Sequence, residues 1–302
     1  MPELPEVQTT ASILNKLVKG MRISDVWTDY NSEYNAGKEN IKNPEYFKRF
    51  KKAVVGAKII SVYRRAKNVL LDLDDEQTIL VHMKMTGHLL FGDYLFNRRE
   101  NKWTPKDLQS PLSDPFNRFV HLVFTLTNGK HLAFSDMRKF ATVFVIPSRE
   151  THKKHFEKVG PEPLEKDFDW KKMKIALSKK PNGKVKTVLM DHSVIAGIGN
   201  IYSDEILWVS SVHPERKISS LTDNNFKQIT KNAKALLKKG IDFGGDSMSD
   251  YRNPLGEKGK FQLHHKAYRR TGEKCQMKGC AGKIVRKIIG QRSSHFCDIH
   301  QK

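Results

Sequence analysis

The chain of 302 residues has few cysteines and no long apolar run. Its three cysteines, Cys275, Cys280 and Cys297, all lie within the last 28 residues. A disulfide framework uses an even number of cysteines, so this count argues against one and favours a metal site. No stretch approaches the roughly 18 consecutive apolar residues of a membrane helix, and the first turn is too polar for a signal peptide. We therefore expect an intracellular, cytoplasmic protein that has no membrane partner.

Acidic residues are scarce relative to basic ones. The chain has 33 Asp and Glu against 54 Lys and Arg, which gives a formal net charge of +21. This excess favours a polyanionic partner, most simply nucleic acid, although a lysine-rich solvated surface would give the same count. The length suggests two domains with a small appendage.

The first half of the chain combines one helix with many short strands. Apolar residues recur at helical spacing from Val7 to Val18, and β-rich runs follow from residue 23 to residue 146. Asn128-Gly129 between two such runs predicts a hairpin, and many short strands in one block favour an antiparallel sandwich or barrel. Residues 92–118 are polar and contain three prolines, so we expect an exposed insertion there.

The pattern becomes helical after the rigid connector Gly160-Pro161-Glu162-Pro163-Leu164. One apolar face extends from Thr222, a plausible N-cap, to Gly240, whereas residues 242–263 lack periodicity and predict a mobile loop. The fold class is therefore α+β with several domains. The predicted divisions are residues 1–150, 151–262 and 263–302.

The amino terminus carries the sequence Met1-Pro2-Glu3. If Met1 is removed, Pro2 becomes a free secondary amine beside a carboxylate. Because an α-amino group has a pKa of about 7.7–8.0, roughly 10–15% of it is unprotonated at pH 7, against roughly 0.04% of a lysine. Such an amine can attack a sugar or carbonyl carbon and form an imine. A Met-Pro start is also common without any function.

Cys275-x4-Cys280-x16-Cys297-x2-His300 supplies four metal ligands in two pairs. A closed set of three cysteines and one histidine is typical of a structural zinc site. We expect one structural Zn²⁺ ion, bound by these four ligands. The residues between the two pairs are expected to form a basic two-stranded ribbon. Three unrelated free thiols are the alternative.

Several motifs together resemble one family. They are Met-Pro-Glu-Leu-Pro-Glu-Val at the start, the Gly-Pro-Glu-Pro-Leu connector, Met190-Asp191-His192 leading into Ala196-Gly197-Ile198-Gly199-Asn200-Ile201-Tyr202, and Tyr268-x4-Glu273-x-Cys275. In this order, from end to end, they are similar to the formamidopyrimidine-DNA glycosylase/endonuclease VIII family of base-excision repair enzymes. The opening Glu-Leu-Pro-Glu resembles the formamidopyrimidine-DNA glycosylase branch more closely. This resemblance implies a helix plus β-sandwich, a helix-two-turn-helix domain and a zinc ribbon, with DNA in a basic cleft.

The resemblance also implies the catalytic groups. Pro2 would attack C1′ of the damaged nucleotide, Glu3 would protonate the sugar ring oxygen, and Glu6 would position the terminus. Lys67 matches a lysine that assists base loss and strand cleavage, and Arg292 matches the finger arginine that grips a phosphate at the site.

The resemblance further implies residues that contact DNA. Met85, Arg138 and Phe140 match the side chains that fill the gap left by an extruded base. Lys186 and Asn200 match phosphate-contacting positions, and residues 242–263 occupy the place of the loop that closes over the flipped base. We expect a monomer acting on double-stranded DNA that contains oxidised bases or abasic sites.

Five features depart from the family pattern. The first cysteine pair is spaced by four residues and the last ligand is histidine, where the family usually has Cys-x2-Cys twice. Lys139 stands where arginine is usual, Arg269 stands where glycine is usual, and the insertion at 92–118 has no counterpart. None of these changes removes a catalytic group.

The expected function is a bifunctional DNA glycosylase and abasic-site lyase for oxidised purines. Two alternatives stay open. One is an endonuclease VIII-like specificity for oxidised pyrimidines, which Met85, Arg138 and Phe140 disfavour. The other is a non-catalytic lesion-binding protein, which Pro2, Glu3 and Lys67 disfavour.

Overall fold

The computed structural model describes all 302 residues and divides into two compact units. The first contains residues 1–157 and 244–260, and the second contains residues 158–243 and 261–302.

The first unit is a helix packed on two antiparallel four-stranded sheets, as the sequence predicts. One sheet has the strand order β1-β8-β9-β5 and the other has β10-β4-β3-β2. Its helices are α1 (Leu4–Val18), α2 (Pro44–Val54) and α3 (Arg149–Phe156). Its sheet strands are β1 (Ile23–Thr28), β2 (Ile59–Arg65), β3 (Asn68–Leu73), β4 (Thr78–His82), β5 (His88–Gly92), β8 (Val120–Leu126), β9 (His131–Ser135) and β10 (Thr142–Ile146). The Asn128-Gly129 turn joins β8 to β9, which confirms the predicted hairpin.

Helix α1 enters the core along its apolar face. Val7, Ala11, Leu14 and Val18 are fully buried in the cluster that also contains the inner faces of both sheets. Burying each Val or Leu contributes about 1.5–3 kcal/mol, so this face fixes the helix on the sheets. The polar first turn of α1 is thereby placed at a defined position beside the sandwich.

The insertion is folded rather than a simple exposed loop. Its strands β6 (Tyr94–Asn97) and β7 (Lys102–Pro105) form an antiparallel hairpin. Phe96 and Trp103 of this hairpin contact Trp27 of β1 through edge-to-face ring pairs, with centroids 5.7 and 6.3 Å apart. Two short 3₁₀ turns at residues 111–113 and 115–118 complete it.

The second unit combines four helices with one hairpin. The helices are α4 (Trp170–Ser178), α5 (Val185–Leu189), α6 (Asn200–Val209) and α7 (Asp223–Asp242), and the strands are β11 (Ile284–Ile289) and β12 (Arg292–Cys297). Thr222 caps α7 through a reciprocal pair of hydrogen bonds with Asn225, as the N-cap prediction requires. The hairpin packs on α6 through a small core that includes Trp208, Ile284 and Cys297.

The predicted domain boundaries after residues 150 and 262 stay a prediction. In the compact units, residues 244–260 group with the first unit because they hydrogen-bond to α1, and the terminal hairpin groups with the helices because it shares their core. None of the helices has the length and apolarity that crossing a bilayer requires.

Candidate functional site

The amino terminus is a buried, tightly bonded turn. Pro2 and Glu3 are buried, whereas Met1 is 44% exposed. Glu3 is the N-cap of α1, and its backbone N–H donates to Oε2 of Glu6 at 2.7 Å in a capping box. This arrangement fixes the main chain that follows Pro2 and puts an acid next to it.

Glu6 joins this turn to the segment that follows α7. Its Oε1 accepts a hydrogen bond from the backbone N–H of Asp246 at 2.7 Å, and the Tyr251 hydroxyl donates to the Glu6 carbonyl at 3.0 Å. Burial, assisted by the neighbouring Glu3 carboxylate, raises the pKa of Glu6 to about 7. Gly245 is required here, because its φ is +87° and an added Cβ would lie 2.9 Å from Cγ of Glu6.

Lys67 lies in the tight turn between β2 and β3, together with Ala66, whose φ is +53°. The hairpin is tied to α1 by Nε of Arg64, which donates to Oε1 of Gln8 at 3.0 Å. The structure therefore places the predicted lysine on the hairpin that packs along the first helix. With Met1 removed, a Pro2 amine beside the Glu3 and Glu6 carboxyl groups would suit chemistry at a sugar carbon.

Met85, Arg138 and Phe140 lie on two neighbouring loops of the first unit. Met85 is 37% exposed, Phe140 is 50% exposed, and the guanidinium of Arg138 lies over the Phe140 ring at 4.5 Å. Large apolar side chains at loop tips are available for insertion between bases.

Asp136 and Thr86 hold these two loops together. The Thr86 hydroxyl donates to Oδ1 of buried Asp136 at 2.5 Å and accepts from the Arg138 backbone N–H at 3.1 Å. Oδ2 of Asp136 accepts from the Ala141 N–H at 2.8 Å. Sequence reasoning missed both residues, although their position within two residues of Met85 and Arg138 was a usable signal.

Asn200 and Arg292 meet in the second unit at an open cavity of about 680 Å³. Asn200 begins α6, its Oδ1 is buried without a hydrogen-bond partner, and two further arginines, Arg269 and Arg286, line the same cavity. Three guanidinium groups beside a helix N-terminus form a site for an anion such as phosphate. Arg269 has a φ of +58°, which explains why glycine is usual at this position.

Lys186 is placed differently from the prediction. Its side chain is fully buried, and Nζ donates to Oδ1 of Asp204 at 2.6 Å and to the Ser293 carbonyl at 3.0 Å. A buried ammonium in an ion pair has no surface for a phosphate, which argues against direct contact. Lys186 instead links α5, α6 and the base of β12.

The buried acids of α6 are functional candidates that sequence reasoning missed. Asp204 pairs with Lys186 and also accepts from the backbone N–H of His295 at 2.9 Å. Glu205 accepts three backbone N–H bonds at 2.8 to 2.9 Å from residues 266–268. Burial raises the pKa of Glu205. Acidic residues inside an otherwise apolar helix were the available signal.

Cys275, Cys280, Cys297 and His300 converge, with all four ligand atoms within 4.8 Å of one another. The sulfurs of Cys280 and Cys297 are 3.6 Å apart, close to the roughly 3.8 Å that two 2.3 Å Zn–S bonds impose at tetrahedral angles. Nε2 of His300 donates to the Trp208 carbonyl at 2.9 Å, which leaves Nδ1 free to bind a metal 3.2 Å from the Cys275 sulfur. These residues fit a structural zinc ion, and the fit includes both the wider first cysteine spacing and the histidine ligand.

Two family models match the chain. One is the formamidopyrimidine-DNA glycosylase N-terminal domain, over residues 1–143, and the other is the formamidopyrimidine-DNA glycosylase H2TH domain, over residues 159–252.

Curated relatives match along the whole chain. The formamidopyrimidine-DNA glycosylase of Bacillus subtilis is 36% identical over 302 residues and 98% of each chain. That of Herpetosiphon aurantiacus is 34% identical over 301 residues and 100% of each chain.

Solved structures agree with these relatives. The complex of the Lactococcus lactis Fpg protein with DNA containing an abasic site has a TM-score of 0.82 at 29% identity and covers 99% of each chain. A Lactococcus lactis variant bound to Fapy-dG-containing DNA also has a TM-score of 0.82, at 29% identity over 100% of each chain.

Proposed function

The chain belongs to the formamidopyrimidine-DNA glycosylase family, and we propose that it removes oxidised purines, such as 8-oxoguanine and formamidopyrimidines, from double-stranded DNA and then cleaves the strand. The observation that carries the proposal is the buried first turn, in which Glu3 caps α1 beside Pro2 and bonds to Glu6. With Met1 removed, the Pro2 amine would lie beside two carboxyl groups at the start of α1, and this supports the proposal.

The chemistry begins when Met1 is removed and the Pro2 nitrogen becomes a free amine. The nitrogen attacks C1′ of the damaged nucleotide, a C–N bond forms, and the bond from C1′ to the base breaks so that the base leaves with that electron pair and a proton. Glu3 protonates the sugar ring oxygen, the ring opens, and the Pro2 nitrogen and C1′ become a Schiff base. β- and δ-elimination then expel the two phosphates, and water releases the sugar remnant from Pro2.

Three residues assist this sequence. Glu6 accepts the Glu3 N–H and so fixes the orientation of the amine. Lys67, on the hairpin beside α1, assists base loss and elimination, and Arg292 grips the phosphate that leaves. A lysine and an arginine stabilise the negative charge that develops on these groups.

DNA contacts come from both units. Met85, Arg138 and Phe140 fill the gap left by the extruded base, with Arg138 bonded to the orphaned partner base. Asn200 and Arg292 bind backbone phosphates together with Arg269 and Arg286, which line the same cavity. Lys186 does not touch DNA. It hydrogen-bonds to the carbonyl of Ser293 and so helps to hold the neighbouring Arg292 in position.

One zinc ion would be held by Cys275, Cys280, Cys297 and His300 and would supply structure, not chemistry, because four protein ligands leave no open position. The ligands flank β11 and β12 and therefore set the pose of Arg292. We propose that the protein works as a monomer in the cytoplasm.

Borohydride trapping tests the proposal. Purified protein is incubated with duplexes containing 8-oxoguanine or thymine glycol, borohydride is added, and the trapped peptide is sequenced. We expect an adduct at Pro2 and faster trapping on 8-oxoguanine. Faster trapping on thymine glycol would favour the pyrimidine-specific alternative, an adduct at a lysine would refute Pro2, and no adduct with either duplex would favour a non-catalytic lesion-binding protein.

A further inference from the structure

Residues 92–118, here called the insertion, contact residues 244–260, here called the capping segment. Both belong to the first unit. The family resemblance implies a role for the capping segment but none for the insertion.

Arg252 is the centre of these contacts. It is the largest fully buried side chain in the protein, at 1% exposure. Its Nη2 donates to Oδ1 of Asp114 in the insertion at 3.0 Å, and its guanidinium lies over the Phe116 ring at 4.8 Å. Nη1 donates to the carbonyls of Ser249 and Tyr251 at 3.0 and 2.9 Å. One side chain therefore ties the insertion to two backbone positions of the capping segment.

A second hydrogen bond holds the Asp114 carboxylate in position to pair with Arg252. Asp114 caps the 3₁₀ turn at residues 115–118 by accepting from the Phe116 N–H at 2.9 Å. Although burial opposes ionisation, this bond and the Arg252 guanidinium hold the pKa of Asp114 below its ordinary value. The carboxylate is therefore charged, as a buried arginine requires.

Backbone contacts reinforce the tie at the far end of the capping segment. The N–H of Phe91, in β5 just before the insertion, donates to the Pro254 carbonyl at 2.7 Å. Gly256 has a φ of +85°, and an added Cβ would lie 2.6 Å from the Pro111 carbonyl and the Leu112 nitrogen. The chain approaches the insertion so closely here that only glycine fits.

The capping segment transmits this restraint to the first turn. Tyr251, next to Arg252, donates to the Glu6 carbonyl, and the Asp246 N–H donates to the Glu6 carboxylate. Gly259 donates its N–H to Ser247, whose hydroxyl donates to the Tyr251 carbonyl, and these two bonds close the segment on itself. A continuous path of contacts thus runs from Asp114 through Arg252 and Tyr251 to Glu6.

We propose that the insertion braces the capping segment against the first turn before DNA binds, with Asp114 and Arg252 as positioning residues for base excision. This inference rests on the proposed function and on the family resemblance, which implies that residues 242–263 close over the flipped base. A segment that is ordered in the free protein loses less conformational freedom when the base arrives, so more of the binding free energy serves catalysis.

The test compares Arg252→Met with Asp93→Asn as a matched control. Met is close to Arg in length but cannot bond to Asp114. The control removes the exposed ion pair between Asp93 and Lys130, which does not involve the capping segment. Amide hydrogen exchange is measured on free protein. We expect residues 244–260 to exchange at least about tenfold faster in Arg252→Met and unchanged in Asp93→Asn, because breaking a buried charge pair frees the segment that it held. Equal exchange in Arg252→Met and wild type would overturn the brace.

Kinetics separate positioning from general destabilisation. In single turnovers we expect Arg252→Met to lower 8-oxoguanine excision about tenfold, while borohydride trapping on a preformed abasic site, which has no base to cap, changes much less. Equal losses on both substrates would overturn the positioning role. Arg252→Lys should restore little, because its single nitrogen cannot occupy both positions from which Nη1 reaches the two carbonyls and Nη2 reaches Asp114. Full rescue would contradict the geometry.

Two controls keep the outcome clear. If Arg252→Met loses its near-ultraviolet circular dichroism, Asp114→Asn, which keeps the shape of the side chain, is measured in its place against the same expectations. Failure of wild-type protein to form any adduct would refute the proposed function, whereas the exchange measurement would still decide whether the insertion braces the segment.

Discussion

Pro2 and Glu3 occupy a turn whose main chain is fixed at the start of α1. The capping box of Glu3 with Glu6 and the buried apolar face of α1 leave this turn little freedom. The sequence pattern could indicate these residues because Pro2, Glu3 and Glu6 all lie within the first six positions. It could not predict the bond from Asp246 to Glu6, because the two residues are 240 positions apart and only the folded chain brings them together.

Pro2→Gly is expected to reduce trapping on an 8-oxoguanine duplex on the order of 100-fold. Glycine keeps a terminal amine but loses the ring that fixes the position of the nitrogen, and small misplacements at a reacting atom have effects of this size. Binding to a duplex with a stable abasic-site analogue should change much less, because the phosphate contacts persist. Gel-shift affinity measured alongside trapping checks this, and parallel losses in both would contradict the nucleophile assignment.

Glu6→Gln is expected to change the pH dependence of stability. The folded pKa of Glu6, about 7, exceeds its ordinary value of 4.5, so the folded state binds the proton more tightly. The stability contribution of Glu6 is therefore complete below pH 4.5 and is lost as pH rises to about 7, on the order of 3 kcal/mol in the free energy of unfolding.

Urea unfolding at pH 5 and pH 7.5 measures this effect as the difference between wild type and Glu6→Gln. Other groups cancel in that difference, including buried His88, whose lowered pKa acts in the opposite direction. The amount by which the free energy of unfolding of wild type exceeds that of Glu6→Gln should shrink from pH 5 to pH 7.5. A difference that is independent of pH would mean that Glu6 is ionised throughout.

At the scale of elements, the hairpin β11–β12 depends on the four metal ligands at its ends. Local patterns predicted this element well, because the ligand spacing and the intervening β-branched residues are close in sequence. The same reasoning expected a mobile loop at 242–263 and missed the bonds that hold it, since Asp114 and Arg252 are 138 positions apart. The Gly/Ser-rich composition of this segment indicates that it forms no regular helix or strand. It carries no information about long-range contacts.

Zinc removal is expected to release this hairpin from α6. Metal analysis should find one zinc per chain, and a strong chelator should change the fluorescence of Trp208, which packs against His300 with ring centroids 5.4 Å apart. DNA affinity should fall about tenfold or more, because folding of small metal-bound elements is coupled to the metal. Added zinc should restore both signals, and a chelated protein with unchanged affinity would show that the hairpin folds without metal.

At the scale of the whole molecule, the net charge of +21 suits a polyanion, and the structure separates the cations that face solvent from those that support the fold. Arg292 is exposed at the rim of the arginine-lined cavity, whereas Lys186 is fully buried in its pair with Asp204. Composition counts both alike, so only the fold distinguishes them.

Salt dependence of duplex binding measures this distinction. For wild type, the logarithm of affinity should fall steeply with the logarithm of salt concentration, since several phosphates are neutralised. Arg292→Met should reduce the slope by about one, as expected for one lost phosphate contact. Lys186→Met should leave the slope unchanged but lower the free energy of unfolding by about 3–5 kcal/mol, because it leaves Asp204 buried without its cation. A reduced slope in Lys186→Met would show that the lysine leaves its ion pair and binds phosphate, as the family resemblance first implied.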